Sequence, residues 1–241
     1  CCIEEFNMNL KTFLDMLTEV ELSQHIFGQT EQDKLVKGYE LINLINRGLV
    51  DIHSRFILKK GDILLEVDSC LRRSYDITDP SIILSEEHQP NILKILEAWD
   101  ECGNKLHLNT IHRYVACNTV HSNYVQLSNK TTLMFDNYTG CVRVVYHRGA
   151  DPIKKPKSLD KFHPELLRLD IDLEYIDALI YYVCARLFSI NLPMEGYAAQ
   201  YSPSVTYHKK YEAECARLKD LNFEIDGTEN QSHRFYDSTF P

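Results

Sequence analysis

The side chains with the greatest chemical reach in this sequence are its ten histidines and eight cysteines. The densest grouping is His107, His112 and His121 with Cys117 close by. These residue types ligate zinc when their side chains converge at fixed distances. Nothing in the spacing enforces convergence. On a strand His112 and Cys117, five positions apart, face opposite ways, and His107 and His112 flank a turn. The cysteines stand at 1, 2, 70, 102, 117, 141, 184 and 215, with no Cys-x-x-Cys pair and no knuckle spacing. Asp170, Asp172 and Glu174 alternate just before a helix, where carboxylates complement the positive end of the dipole. That structural role outweighs acid–base catalysis. His208 reads as core or interface, and Tyr181, Tyr182 and Tyr211 as helix-packing aromatics. The sequence has no Gly-x-Gly-x-x-Gly, Walker loop, Gly-x-Ser-x-Gly elbow or His-Glu-x-x-His, and its nine glycines leave few places for a phosphate cradle. The expectation is an interaction protein without catalytic, metal or cofactor residues.

Charge and hydropathy narrow the class further. The formal net charge is −9, and no basic stripe of the kind a duplex-binding protein presents stands out. The one dense basic run, Lys154, Lys155 and Lys157 interleaved with Pro152 and Pro156, reads as a solvated linker. No run of about 18 apolar residues exists to span a membrane. The opening Cys1-Cys2 followed by acids lacks a secretory layout. The scattered cysteines, Cys184 and Cys215 among them, therefore read as buried, reduced thiols of a protein made in a cytoplasm.

The elements follow from periodicity. Residues 7–27 carry Leu10, Phe13, Leu14, Leu17 and Leu22 at near-helical spacing, with Gly28 as the stop. Residues 30–56 form a second helix, opened by Thr30, Glu31 and Asp33. From residue 56 the period becomes two. Residues 56–67 read as two short strands around a Lys60-Gly61-Asp62 turn. Further strands are expected at 82–84, at 92–99 (where a short helix is the alternative), and at 105–108 and 111–117 around an Asn109-Thr110 turn. Others follow at 124–127, 131–136 and 141–147. Val142, Val144 and Tyr146 share one face of the last, as in a half-buried antiparallel sheet. Helical spacing returns near Leu173, ends at Pro193, and reappears from Pro203 to Leu221 with Val205, His208, Tyr211, Cys215 and Leu218 in register.

This layout predicts an α+β fold. N- and C-terminal helices, residues 1–56 and 162–221, form one bundle. An antiparallel β-rich lobe, 57–150, is inserted, a linker spans 151–161, and an extended C-terminal tail covers 222–241. The candidate bundle core is Leu35, Tyr39, Ile42, Ile45, Leu49, Ile176, Ile180, Val183, Leu187, Tyr211, Cys215 and Leu218.

Three segments carry a family likeness. They are Asp172-Leu-Glu-Tyr-Ile-Asp-Ala-Leu-Ile-Tyr-Tyr-Val-Cys-Ala-Arg186, Tyr211-Glu-Ala-Glu-Cys-Ala-Arg-Leu218, and Leu41-Ile-Asn-Leu-Ile-Asn-Arg-Gly-Leu-Val-Asp-Ile-His-Ser-Arg55. The first follows a strand ending Val144-Val-Tyr-His-Arg and a Pro-rich linker. In this the chain resembles the head-to-tail adaptor, or connector, proteins of tailed bacteriophages, including podophage tail tubular protein A. The resemblance implies a virion structural protein, made in the host cytoplasm, that acts at the portal vertex. It would form a homo-oligomeric ring, commonly of about twelve copies with heterologous contacts. Its partners would be the portal protein, a tail nozzle or tail tube protein and copies of itself, with genomic DNA passing through during ejection without specific binding. An acidic subunit suits such a conduit, because a negative lumen repels phosphates. Phe235, Tyr236 and Phe240 of the tail are the candidate portal-docking residues, against the alternative of a disordered end. Competing readings are a neighbouring nozzle or head-completion protein, and a cytosolic phage-encoded enzyme or ligand-binding α+β protein.

Overall fold

A computed structural model describes residues 8–19, 30–82, 91–110, 124–136, 138–191 and 202–234. Among them are four α-helices and a seven-stranded sheet, an α+β composition. The chain divides into two compact units. One combines Cys1–Ile52 with Pro152–Pro241, and the other is His53–Asp151.

In the helical unit, α1 (Leu10–Glu19) starts where the Asn9 side chain accepts the Thr12 amide at 2.8 Å, an N-cap. Leu10, Phe13, Leu14 and Leu17 bury one stripe of it. Helix α2 (Glu31–Arg55) opens with a reciprocal cap: the Asp33 amide donates to Thr30 Oγ1 at 3.1 Å, and the Thr30 amide donates back to Asp33 Oδ2 at 3.4 Å. Ile42, Ile45, Leu49 and Ile52 are fully buried, while Leu35 and Tyr39 are only half-buried. Two glycines set how closely other helices approach α2. A Cβ on Gly38 would stand 2.6 Å from Leu14, and one on Gly48 would stand 2.6 Å from Leu179.

Helix α3 (Ile176–Asn191) buries Ile176, Leu179, Ile180, Val183, Cys184, Leu187 and Phe188. Its partner α4 runs Pro203–Arg234, with Tyr207, Tyr211, Cys215 and Leu218 buried. Two expectations are corrected here. The buried stripe of α4 passes through Tyr207, leaving His208 exposed. The helix also continues to Arg234, so the extended tail assigned to 222–241 begins as helix. No proline interrupts residues 204–234, so the backbone can continue as helix past Leu221.

The stretch at 151–161 is not a free linker. Asn46 of α2 clasps Ile153, donating from Nδ2 to its carbonyl at 3.0 Å and accepting its amide at 2.8 Å. The Tyr39 hydroxyl donates to the Pro156 carbonyl at 2.8 Å. Ile153 and Phe162 are buried, so the segment forms an extended strap along α2.

The second unit is a sheet in the order β1-β7-β3-β4-β5-β6-β2. Its strands are β1 (Lys59–Asp68), β2 (Ser74–Asp76), β3 (Ile92–Asp100), β4 (Lys105–Thr110), β5 (Tyr124–Leu127), β6 (Thr132–Met134) and β7 (Thr139–Arg148). The sheet curls. Although β2 ends the strand order, the Tyr75 hydroxyl accepts the Asp68 amide at 2.8 Å and donates to the Asp68 carbonyl at 3.1 Å. Inside the curl lie Ile63, Leu65, Tyr75, Val144, Tyr146 and their buried neighbours.

Three further expectations are corrected by this unit. Residues 59–68 are one strand, not a hairpin: Gly61 pairs with Tyr146 in mid-strand, and a Cβ there would stand 2.5 Å from that ring. The glycine serves close approach, not a turn. Asn109 and Thr110 continue β4 and form no turn. Finally, the lobe is not wholly antiparallel, because β4 and β5 run parallel. A parallel pair needs a crossover of a dozen or more residues, and residues 111–123 supply that length. Of the strand expected at 82–84, Ile82 instead closes a 3-10 turn, Pro80–Ile82; its other residues and the strand expected at 111–117 lie outside the described residues.

Candidate interaction surface

The groups with chemical reach do not assemble into a reactive centre among the described residues. His107 is exposed on β4, while His112, Cys117 and His121 lie outside the described residues. Among the described residues no three His, Cys, Asp or Glu side chains are grouped to hold a metal ion. No helix among them is long and apolar enough to cross a membrane. Of the described cysteines, Cys184 and Cys215 are buried, but Cys70, Cys102 and Cys141 are exposed, which corrects the expectation of uniformly buried thiols. Burial pushes the Cys184 thiol up to about 12, the opposite of what a nucleophile needs. Asp172 makes no side-chain cap bond, and a 3-10 turn at Leu173–Tyr175 separates it from α3.

Tyrosines and one carboxylate hold the helical unit together. The Tyr211 hydroxyl bonds Asp51 on α2. Burial, then that bond to Asp51, holds Tyr211 far above the usual phenol range. Tyr182 meets Tyr211 edge-on at 5.5 Å, and Phe188 stacks on Tyr207 at 5.3 Å. Lys210 lies 4.9 Å from the Tyr207 ring centre. Asp51 was missed in the sequence because it lies off the apolar stripe of α2. Asn46 was missed because a lone asparagine in a helix carries no signal of a partner about a hundred residues away.

Neither a scan of protein-family models nor a search of the curated proteins finds a match for this chain. Its surface therefore has to be read from its own chemistry.

A cavity of about 200 Å³ opens between α1, the first turn of α2 and the Pro164–Leu166 turn. Leu14, Leu35 and Pro164 line it, and Lys11, Lys34, Asp15, Glu31 and Glu165 contribute charge of both signs. Beyond it, the helical unit exposes two faces of opposite charge. Lys154, Lys155, Lys157 and Lys161 stand out from the strap, Lys155 lying 4.2 Å from the Tyr39 ring centre. Asp172, Glu174 and Asp177 are exposed at the entry to α3, with Leu173, 50% exposed, among them. Phe235, Tyr236 and Phe240, the sequence candidates for docking, lie outside the described residues.

Proposed function

We propose that this chain is a structural adaptor subunit of the head-to-tail type found in tailed bacteriophages. In this reading it has no catalytic role and joins copies of itself in a ring between portal and tail, around the path of the DNA. N- and C-terminal helices would form the ring-bearing bundle, and His53–Asp151, inserted between them in sequence, the sheet unit.

One observation carries the reading. The three segments with the family likeness lie on α2, at the entry to and along α3, and on α4, and all but His53–Arg55 belong to a single unit in which they pack on one another. Gly48 meets Leu179 and Tyr182, Asp51 meets Tyr211, and Tyr182 meets Tyr211 edge-on at 5.5 Å. A likeness spread over separate stretches of sequence thus corresponds to one contiguous packed body, which is what a shared fold requires.

The test is to mix purified chain with portal assemblies and image the product by negative stain, alongside mass measurement of each component. Rings seated on the portal are expected. Failure to bind any portal-bearing vertex, by a chain that is folded, overturns the reading. The cavity at Leu14 and Leu35 favours a second reading, a ligand-binding α+β protein. A small apolar ligand that fills the cavity and raises the melting temperature, without any assembly on portal, would support it.

A further inference from the structure

We infer that copies of this chain associate head to tail, the lysine strap of one copy seating on the acidic, leucine-bearing face of the next. The inference rests on the ring reading above and names the surfaces that would close it.

The strap presents four exposed lysines, Lys154, Lys155, Lys157 and Lys161, against two acids, Asp160 and Asp151, the latter paired with Arg148 at 2.6 Å. None of the four makes an ion pair among the described residues. Their backbone is held rather than loose, since Asn46 fixes Ile153 from both sides and Tyr39 fixes Pro156. Ordering the strap on a partner therefore costs little additional entropy.

The opposite face carries Asp172, Glu174 and Asp177, again without ion pairs among the described residues. Of the basic groups close by, Arg217 is forked onto Glu214 at 2.9 and 2.5 Å, and Arg168 is exposed. Leu173, set between Asp172 and Glu174 and 50% exposed, gives this face the apolar component that a purely solvated acidic run lacks.

Both faces belong to one unit, carry opposite charge, and are not joined by an ion pair among the described residues. The complement of each is thus the other face on a second copy. Two different patches meeting in this way make a heterologous contact, which propagates around a ring or along a fibre. Electrostatic complementarity fixes the orientation and speeds the encounter.

The test uses the full chain, free and on portal, with assembly read by mass measurement and imaging at low and physiological salt. K154E/K155E/K157E is expected to weaken association about tenfold or more, and D172K/E174K/D177K to do the same. The six-substitution chain with both faces exchanged is expected to assemble again, and rising salt to weaken the wild type. Circular dichroism confirms that each variant is folded.

Wild-type assembly by either triple variant overturns the inference, and so does failure of the folded exchanged chain to recover. If the strap variant assembles normally but loses retention of duplex DNA, the strap is a nucleic-acid contact and the inference also falls. Rings on portal that ignore both triple variants leave the adaptor reading standing without these surfaces. If portal is never bound, the adaptor reading fails, and salt-dependent self-association of the free chain still decides the contact.

Discussion

His147 takes its imidazole into the sheet unit, where it is 5% exposed and its Nε2 has no hydrogen-bond partner among the described residues. Burial holds it below its ordinary value of 6.5, with His53 and Lys94 pushing the same way and the Phe56 carbonyl opposing. The folded state therefore favours the neutral ring. The contribution of this group to stability is complete above pH 6.5 and is lost as pH falls from there through the depressed folded value. Urea titrations across that window should show His147→Gln less acid-sensitive than the parent, and equal slopes for the two chains would remove His147 as the cause. On α4, Tyr211→Phe deletes the bond to Asp51 and is expected to cost about 1–2 kcal/mol in chemical unfolding. Neither His147 nor Asp51 stands out in the sequence. A histidine in a strand and an acid within a helix look ordinary until the fold brings their neighbours together.

Among the elements, the helices were the most legible. The stripe Ile42, Ile45, Leu49 and Ile52 repeats at the period that one buried helix face demands, and the Thr30–Asp33 cap marks where α2 begins. Legibility failed where a residue type has two physical uses. Gly61 can mark a turn or a close approach, and only the Tyr146 ring opposite decides between them. Gly61→Val should therefore overpack the curl of the sheet and cost about 1–3 kcal/mol. A loss below a few tenths in the unfolding midpoint energy would show that the ring simply moves aside. The parallel β4–β5 pair was likewise hidden, since strand direction is written in connection length and not in the strands. The strap was read from its prolines and lysines as solvated, whereas Asn46 holds it by two hydrogen bonds. Asn46→Ala should expose the Ile153 amide to hydrogen exchange and cost about 1–3 kcal/mol.

For the whole molecule, composition raised an expectation of class and was silent about partners. The acidic balance and the missing catalytic motifs pointed to an interaction protein, yet the charged faces become visible only when the strap and the entry to α3 are seen as surfaces. If the C-terminal aromatics dock on portal, removing residues 223–241 should abolish portal binding and leave the thermal unfolding of the rest unchanged; unchanged binding would end that role. The division of the chain has a consequence for its synthesis. The apolar stripe of α2 finds its cover, α3 and α4, only after His53–Asp151 has been made. On the ribosome the sheet unit has its own strands at hand and is free to form early. The opening helices meanwhile wait with leucines and isoleucines bare, a window in which a chaperone or a neighbouring nascent chain would find them first.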